Sequence, residues 1–325
     1  MAGVSAATVS RVVNGYPFVG DAVRARVLEA MNDLDYRPDA VARAMRTGET
    51  RAVGFVVSDF SNPLFAAIAV GADEVLYENG YSLVLANSAG DPAREAEIMS
   101  VLRGRRVDGL IIAVADEQAR GLAARLRRLP AVVLLDRDVR GAAADAVRCD
   151  HERGMTEAVA HLIGLGHRRI ALVAGSQAQR GSRERVRAFR EAVGRLLDER
   201  LVRTGELSRE TGYLAAQELL ALDYPPTALI AGNSQLFAGV LDPVRDRGLR
   251  VPDDLSLVVC DDTDLARLHD PPIDVIAREP LELGRAAAEL VLARCADGAA
   301  PPRRVVLPTR FEARASSASP RERVR

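Results

Sequence analysis

At 325 residues, 48% hydrophobic and 27% charged, the sequence has the composition of a globular protein large enough for two or three domains. Its net charge of −1 excludes a global basic field, so any contact with nucleic acid must be local. The three cysteines, Cys149, Cys260 and Cys295, are far apart and lack C-x-x-C spacing, which argues against a disulfide framework or a zinc site.

The chain starts with a helix signal. Ser5 is a short oxygen-bearing residue ahead of Val9, Val12 and Val13, which recur at helical spacing. That places one apolar face inward. Ala6, Ala7, Thr8 and Arg11 fall at the helix start or on the other side. Small residues permit close approach to a DNA groove, a threonine can bond phosphate, and an arginine can reach a guanine edge with two hydrogen bonds. A second amphipathic helix is predicted over 21–34, with Val23, Val27, Leu28, Met31 and Leu34 on its apolar side. Pro38 then opens a short helix, at the position where a missing N–H costs nothing.

The run Gly3-Val4-Ser5-Ala6-Ala7-Thr8-Val9-Ser10-Arg11-Val12-Val13-Asn14-Gly15, followed by Tyr36-Arg37-Pro38-Asp39-Ala40-Val41-Ala42-Arg43-Ala44-Met45-Arg46-Thr47-Gly48, resembles the DNA-binding headpiece of LacI/GalR-type bacterial repressors. The resemblance implies that the first run is the recognition helix of a helix-turn-helix. Residues 38–47 would be a hinge helix that orders on operator DNA. Met45 would stand where a leucine usually wedges into a minor-groove step. The implied DNA-binding residues are Ala6, Ala7, Thr8, Ser10, Arg11, Asn14, Tyr36 and Met45. Two features depart from the pattern. The helix that normally precedes Gly3 has only Met1-Ala2 in its place, so an incomplete all-α headpiece is expected over 1–48. Residues 1–51 also hold seven arginines against six acidic residues, a weak charge for neutralising phosphate, and Asp39 replaces the usual asparagine.

From Arg51 the pattern turns to α/β. Buried strands are predicted at 53–57, 82–86, 109–113, 131–135 and 146–150, with helices at 63–78, 93–103 and 117–128 between them. The second half repeats the scheme. Helices are predicted at 154–165, 184–195, 210–222, 235–247 and 283–296. The strands fall at 170–174, 201–205, 227–231, 255–260 and 274–277, with a final strand pair at 304–307 and 311–314. Continuous apolar strands separated by amphipathic helices indicate parallel sheets covered on both faces. Gly166-His167-Arg168-Arg169-Ile170, Val251-Pro252-Asp253-Asp254-Leu255-Ser256 and Leu307-Pro308-Thr309-Arg310-Phe311-Glu312-Ala313-Arg314 resemble recurrent phrases of the same family. They imply an α/β core over 49–325, built as two Rossmann-like parallel-sheet subdomains joined by three crossovers, as in periplasmic sugar-binding proteins. The expected boundaries are 51–150 with 279–303 for the first subdomain, and 151–278 with 304–318 for the second. The tail shows no leucine heptad, so a homodimer is expected rather than a coiled-coil tetramer.

Ligands of such sheets bind outside the carboxyl ends of the strands. By motif match, the effector-binding arginine of the family falls on Arg185 and its aspartate on Asp261. Phe65, Asp150 and Asn233 are further candidates. Leu64 and Leu207 stand where relatives have an aromatic platform, and the chain has no tryptophan. Gln179, Arg180 and Arg183 would suit a phosphorylated or acidic ligand. The alternative for Asp261 and Arg185 is that they are surface charges forming an ion pair between the subdomains.

The sequence has no G-x-G-x-x-G, P-loop or G-x-S-x-G, and its four histidines (His151, His161, His167, His269) lack metal-ligand spacing. No cofactor, metal or catalytic site is expected, and the protein does not read as an enzyme. No apolar run approaches the ~20 residues of a membrane span, and no basic-then-apolar leader opens the chain, so a cytoplasmic location is expected. The expected partners are operator DNA, a small-molecule effector of the sugar or sugar-derivative kind, and a second copy of the chain. The competing reading is a cytoplasmic small-molecule binding protein that has lost DNA binding through its short headpiece.

Overall fold

Ser5 starts the first helix as its position predicts, its Oγ accepting a hydrogen bond from the Thr8 backbone N–H at 3.2 Å. The computed structural model describes residues 2–13, 16–34, 36 and 48–321. It divides into two units, Met1–Thr50 and Arg51–Arg325. The small unit contains α1 (Ala6–Val13) and α2 (Asp21–Asp33), which bury Val12 and Val27 respectively. The Tyr16 backbone links them, donating to Arg11 O at 3.0 Å and accepting from Arg24 Nη2 at 2.9 Å. The expected hinge helix over 38–47 lies outside the described residues.

The large unit holds two six-stranded sheets. The strands of the first are β1 (Ala52–Val57), β2 (Ser82–Asn87), β3 (Gly109–Ile112), β4 (Val132–Leu135), β5 (Asp145–Asp150) and β11 (Arg304–Pro308). They lie in the order β11-β5-β4-β3-β1-β2, and every pairing is parallel. The second sheet has β6 (Ile170–Ala174), β7 (Val202–Thr204), β8 (Ala228–Ala231), β9 (Ser256–Cys260), β10 (Asp274–Ala277) and β12 (Arg310–Glu312), in the order β12-β10-β9-β8-β6-β7. Only its short edge strand β12 is antiparallel. The helices α3 (Pro63–Glu78), α4 (Pro92–Gly104), α5 (Leu122–Leu126) and α11 (Pro280–Ala296) pack on the first sheet. Those on the second are α6 (His151–Gly164), α7 (Arg180–Val193), α8 (Arg209–Leu220), α9 (Ser234–Asp246) and α10 (Asp264–Leu268).

The structure changes the expected layout in three places. The chain passes between the sheets after Asp150, after Ala277 and at Thr309, so β11 belongs to the first subdomain rather than the second. Thr309 is 2% exposed. Its Oγ1 accepts from the Gly154 N–H at 3.1 Å and donates to Asp150 O at 2.5 Å, pinning that crossing to the first one. The helix expected over 117–128 shrinks to α5, because Gly121 enters the left-handed region (φ 79°) just before it. Helix α7 starts four residues earlier than expected, which brings Arg180 into its first turn.

Each subdomain contains one pair of helices packed backbone to backbone. A Cβ on Gly284 would sit 2.0 Å from Ile68 O, and one on Gly71 would sit 2.1 Å from Leu281 O. Gly239 and Gly212 repeat this between α9 and α8, at 2.0 Å from Arg209 O and 2.1 Å from Leu236 O. The obstruction is backbone, which cannot rotate away. Gly284→Ala should therefore cost about 1–3 kcal/mol in urea unfolding. Gly104→Ala, with nothing within 4 Å of its added carbon, should cost nothing. Equal midpoints for the two variants would refute the close packing. Among the described residues, no helix is long and apolar enough to cross a membrane.

Candidate functional site

A cleft of about 620 Å³ opens where the two sheets present their carboxyl ends to each other. The segments directly after β1, β2, β3 and β4 form one wall, and those after β6, β7, β8 and β9 form the other. Four of the five expected effector residues line it: Phe65, Arg185, Asn233 and Asp261. Leu64 and Leu207 line it too. Asp150 does not. Its carboxylate instead caps α6, accepting from the Arg153 N–H at 3.2 Å, because that helix begins immediately after β5.

The floor of the cleft is an ionic network centred on Asp136, at the end of β4. Its Oδ1 accepts from Arg180 Nη1 at 3.0 Å and from the Cys149 N–H at 3.2 Å. Its Oδ2 lies 2.7 Å from His151 Nε2 and 3.4 Å from Arg278 Nη1. Arg278 also donates through Nε to Asp261 Oδ1 at 2.6 Å. Asp261 is thus ion-paired across a chain crossing, but with Arg278 and not with Arg185. Burial alone would raise the Asp136 carboxyl. The hydrogen bond from His151 and the charges of Arg278 and Arg185 outweigh it and hold that group far below the ordinary carboxylate range. Burial, followed by the Arg185 charge, pushes His151 down to about 4 against the pull of Asp136. The ring is neutral at pH 7 and its Nε2–H donates to the carboxylate.

Asp136, Cys149 and His151 place one ligand atom each within 4.8 Å of one another. The cluster does not suit a cation, because the Arg180 and Arg278 guanidinium groups already occupy the carboxylate. Burial pushes the Cys149 thiol up to about 12, so no thiolate is available. Three polar atoms of residues that line the cleft are buried without a hydrogen-bond partner: Ser182 Oγ, Asn233 Nδ2 and Asp261 Oδ2. Buried polar atoms are nearly always satisfied, which makes these three candidates for hydrogen bonds to a bound molecule.

In the small unit, α1 exposes Ala6, Ala7 and Arg11, and leaves Thr8 and Ser10 half-buried. Tyr36 is exposed as well, while Asn14 and Met45 lie outside the described residues. The sequence profile of bacterial regulatory proteins of the lacI family matches residues 1–39, and that of the periplasmic binding protein-like domain matches residues 159–317. The HTH-type transcriptional repressor PurR of Photobacterium profundum is 33% identical over 302 residues, covering 91% of this chain and 90% of that one. The chain belongs to the LacI family of bacterial transcriptional regulators.

Solved structures agree. The lac repressor dimer bound to operator and the anti-inducer ONPF superposes with a TM-score of 0.86 at 27% identity, covering 98% of this chain and 96% of that one. The complex of the transcriptional regulator CelR with cellobiose superposes with a TM-score of 0.76 at 31% identity, covering 97% of each chain. These relatives are transcriptional repressors and regulators.

For this LacI-family regulator, sequence reasoning missed Asp136, Arg137, His151 and Arg278. Asp136 and Arg137 sit within Leu135-Asp136-Arg137-Asp138, which looks like a charged surface loop. Yet they follow β4 directly, and the strand-end rule applied to that strand would have selected them. Arg278 sits at a crossover, and no strand or helix pattern marks its side chain as buried.

Proposed function

We propose that this regulator is a repressor that binds a two-fold-symmetric operator as a homodimer and is switched by a small polar molecule in the cleft. The observation that carries the reading is the set of unpartnered buried atoms on one wall: a hydroxyl, an amide donor and a carboxylate acceptor. Such a set orients a ligand rich in hydroxyl groups. Asp59 on the first subdomain accepts from Gln235 Nε2 on the second, and Glu117 accepts from Arg183 and from the Arg180 N–H. A ligand that favours one arrangement of these cross-cleft contacts changes operator affinity by its differential affinity for the two states. The regulator acts on DNA, and so in the bacterial cytoplasm.

On DNA, Ala6, Ala7 and Arg11 would read bases, Thr8, Ser10 and Asn14 would position the backbone beside Tyr36, and Met45 would wedge. Selection of bound DNA from a random library with the full chain should return one palindrome. Arg11→Ala should weaken binding to it by about 1–3 kcal/mol while leaving ligand binding intact. Recovery of no sequence, with ligand binding retained, would replace this reading with that of a small-molecule binding protein.

A further inference from the structure

We propose that the ligand of the cleft is a small polyol carrying one anionic group, a carboxylate or a phosphoester, whose charge is received by Arg137. The inference rests on the reading of the cleft as an effector site. Arg137 lines the cleft and is 7% exposed. It is held by two backbone carbonyls, donating through Nε to Val114 O at 2.8 Å and through Nη1 to Asp136 O at 3.0 Å. Both acceptors are neutral, so the side chain is fixed with no carboxylate in contact; Asp136, Glu117 and Glu95 act on its charge only from a distance. Arg185, 6% exposed, also lines the cleft. Among the described residues, no carboxylate oxygen lies within 4.0 Å of either guanidinium group.

The neighbouring carboxylates have other partners. Asp136 is taken by Arg180, Arg278 and His151, and Asp261 by Arg278. Glu184 lies 2.6 Å from Arg180, and Glu117 is paired with Arg183. Arg180 and Arg183, two of the residues from which the sequence suggested an acidic ligand, are therefore already engaged. Arg137 and Arg185 remain. A desolvated guanidinium without a counter-charge at contact is costly, and a bound anion removes that cost. The Arg fork matches a carboxylate or phosphate with two parallel hydrogen bonds.

The other polar atoms require the rest of the ligand to be hydroxylated. Asp261 Oδ2 can only accept, so it needs a hydroxyl or amine donor and would repel a second acid. Rim acids Asp59 and Asp116 already accept backbone N–H groups, of Ser61 and Gln118, at 2.8 Å each. Glu206 is exposed, where water screens it. The cleft volume suits a sugar-sized molecule.

Calorimetric titration of the full chain with two matched sets tests the proposal: glucose, gluconate and glucose 6-phosphate, then ribose, ribonate and ribose 5-phosphate. In at least one set a charged member should bind about tenfold to a hundredfold tighter than its neutral partner. Whether carboxylate or phosphate is preferred identifies the group. Arg137→Leu should abolish the advantage, and Arg137→Lys should keep part of it. The wild-type comparison stands even if the leucine variant does not fold. Neutral members binding as tightly as charged ones, no charged member binding, or an advantage that survives Arg137→Leu would each overturn the proposal. A neutral sugar that binds and shifts operator affinity would overturn the anionic ligand but keep the effector reading. Bound ligands that leave operator affinity unchanged would defeat the effector reading instead.

Discussion

Asp136→Ala should destabilise the protein by about 3–5 kcal/mol, measured by urea unfolding at fixed protein concentration. The carboxylate belongs to the first subdomain, yet its partners come from α7, from the crossing at His151 and from the crossing at Arg278. Removing it leaves the Arg180 and Arg278 guanidinium groups buried without this counter-charge, which costs far more than the pair itself contributes. The backbone adds a smaller effect. Asp136 has φ +51°, a left-handed conformation that Asp and Asn tolerate better than Ala. Asp136→Asn should therefore lose less, since it keeps the shape and the backbone preference but not the charge. Asp138→Ala, two residues on, is the contrast. Its side chain is 48% exposed and pairs with Arg148 at 3.0 Å, so its loss should stay within about 1 kcal/mol. Similar losses for Asp136→Ala and Asp138→Ala would mean that the network is solvated and does not fasten the two subdomains.

How much of this was legible in the sequence follows from how each residue is buried. Strands β1, β3, β4, β6, β8, β9 and β10 are buried nearly throughout, so they show as unbroken apolar runs. Turn residues separate them cleanly from the helices. Periodicity, however, reports that a segment is a strand and not which sheet it joins. Strands β11 and β12, a single residue apart, read as a pair, but Thr309 sends them to different sheets. Motif match placed Arg185 and Asp261 at the cleft, and the strand-end rule placed Asn233 there. The strand-end rule failed at Asp150, where a helix follows with no loop between and the carboxylate is used as a cap. The partner of Asp261 was unreadable for a different reason: Arg278 reaches it from another strand end, and pairing between distant strands leaves no local trace. The hydrogen-bond vacancies at Ser182, Asn233 and Asp261 depend on three-dimensional burial and have no sequence signature at all.

Two buried groups titrate in opposite senses near neutrality, and removing one should expose the other. Burial raises Glu95 to about 7, against the hydrogen bond from the Ala115 N–H at 2.8 Å and the Arg137 charge. The folded state therefore binds more protons than the unfolded state between about pH 4.5 and 7, and Glu95 makes stability fall as pH rises through that window. His151 does the reverse. Its folded value of about 4 lies below the unfolded 6.5, so the unfolded state binds more protons between those limits and stability rises with pH. Over pH 5 to 6.5 each group contributes about 2 kcal/mol, and the two cancel. Carboxylates with lowered values, such as Asp136 and Asp198, lose their contribution only as pH falls below about 4 and do not enter this window. His167, lowered by burial, adds to the His151 effect, and Glu184, raised by burial, adds to that of Glu95, so the wild-type profile from pH 5 to 6.5 carries all four opposing contributions. In Glu95→Gln the Glu95 contribution is removed, and stability should rise with pH by about 2 kcal/mol more than in the wild type over the same range. Ala115 lines the cleft, so urea unfolding at several pH values also reports on the support behind the cleft wall. Parallel profiles for the two proteins would mean that Glu95 is already ionised at pH 5 and not held as an acid.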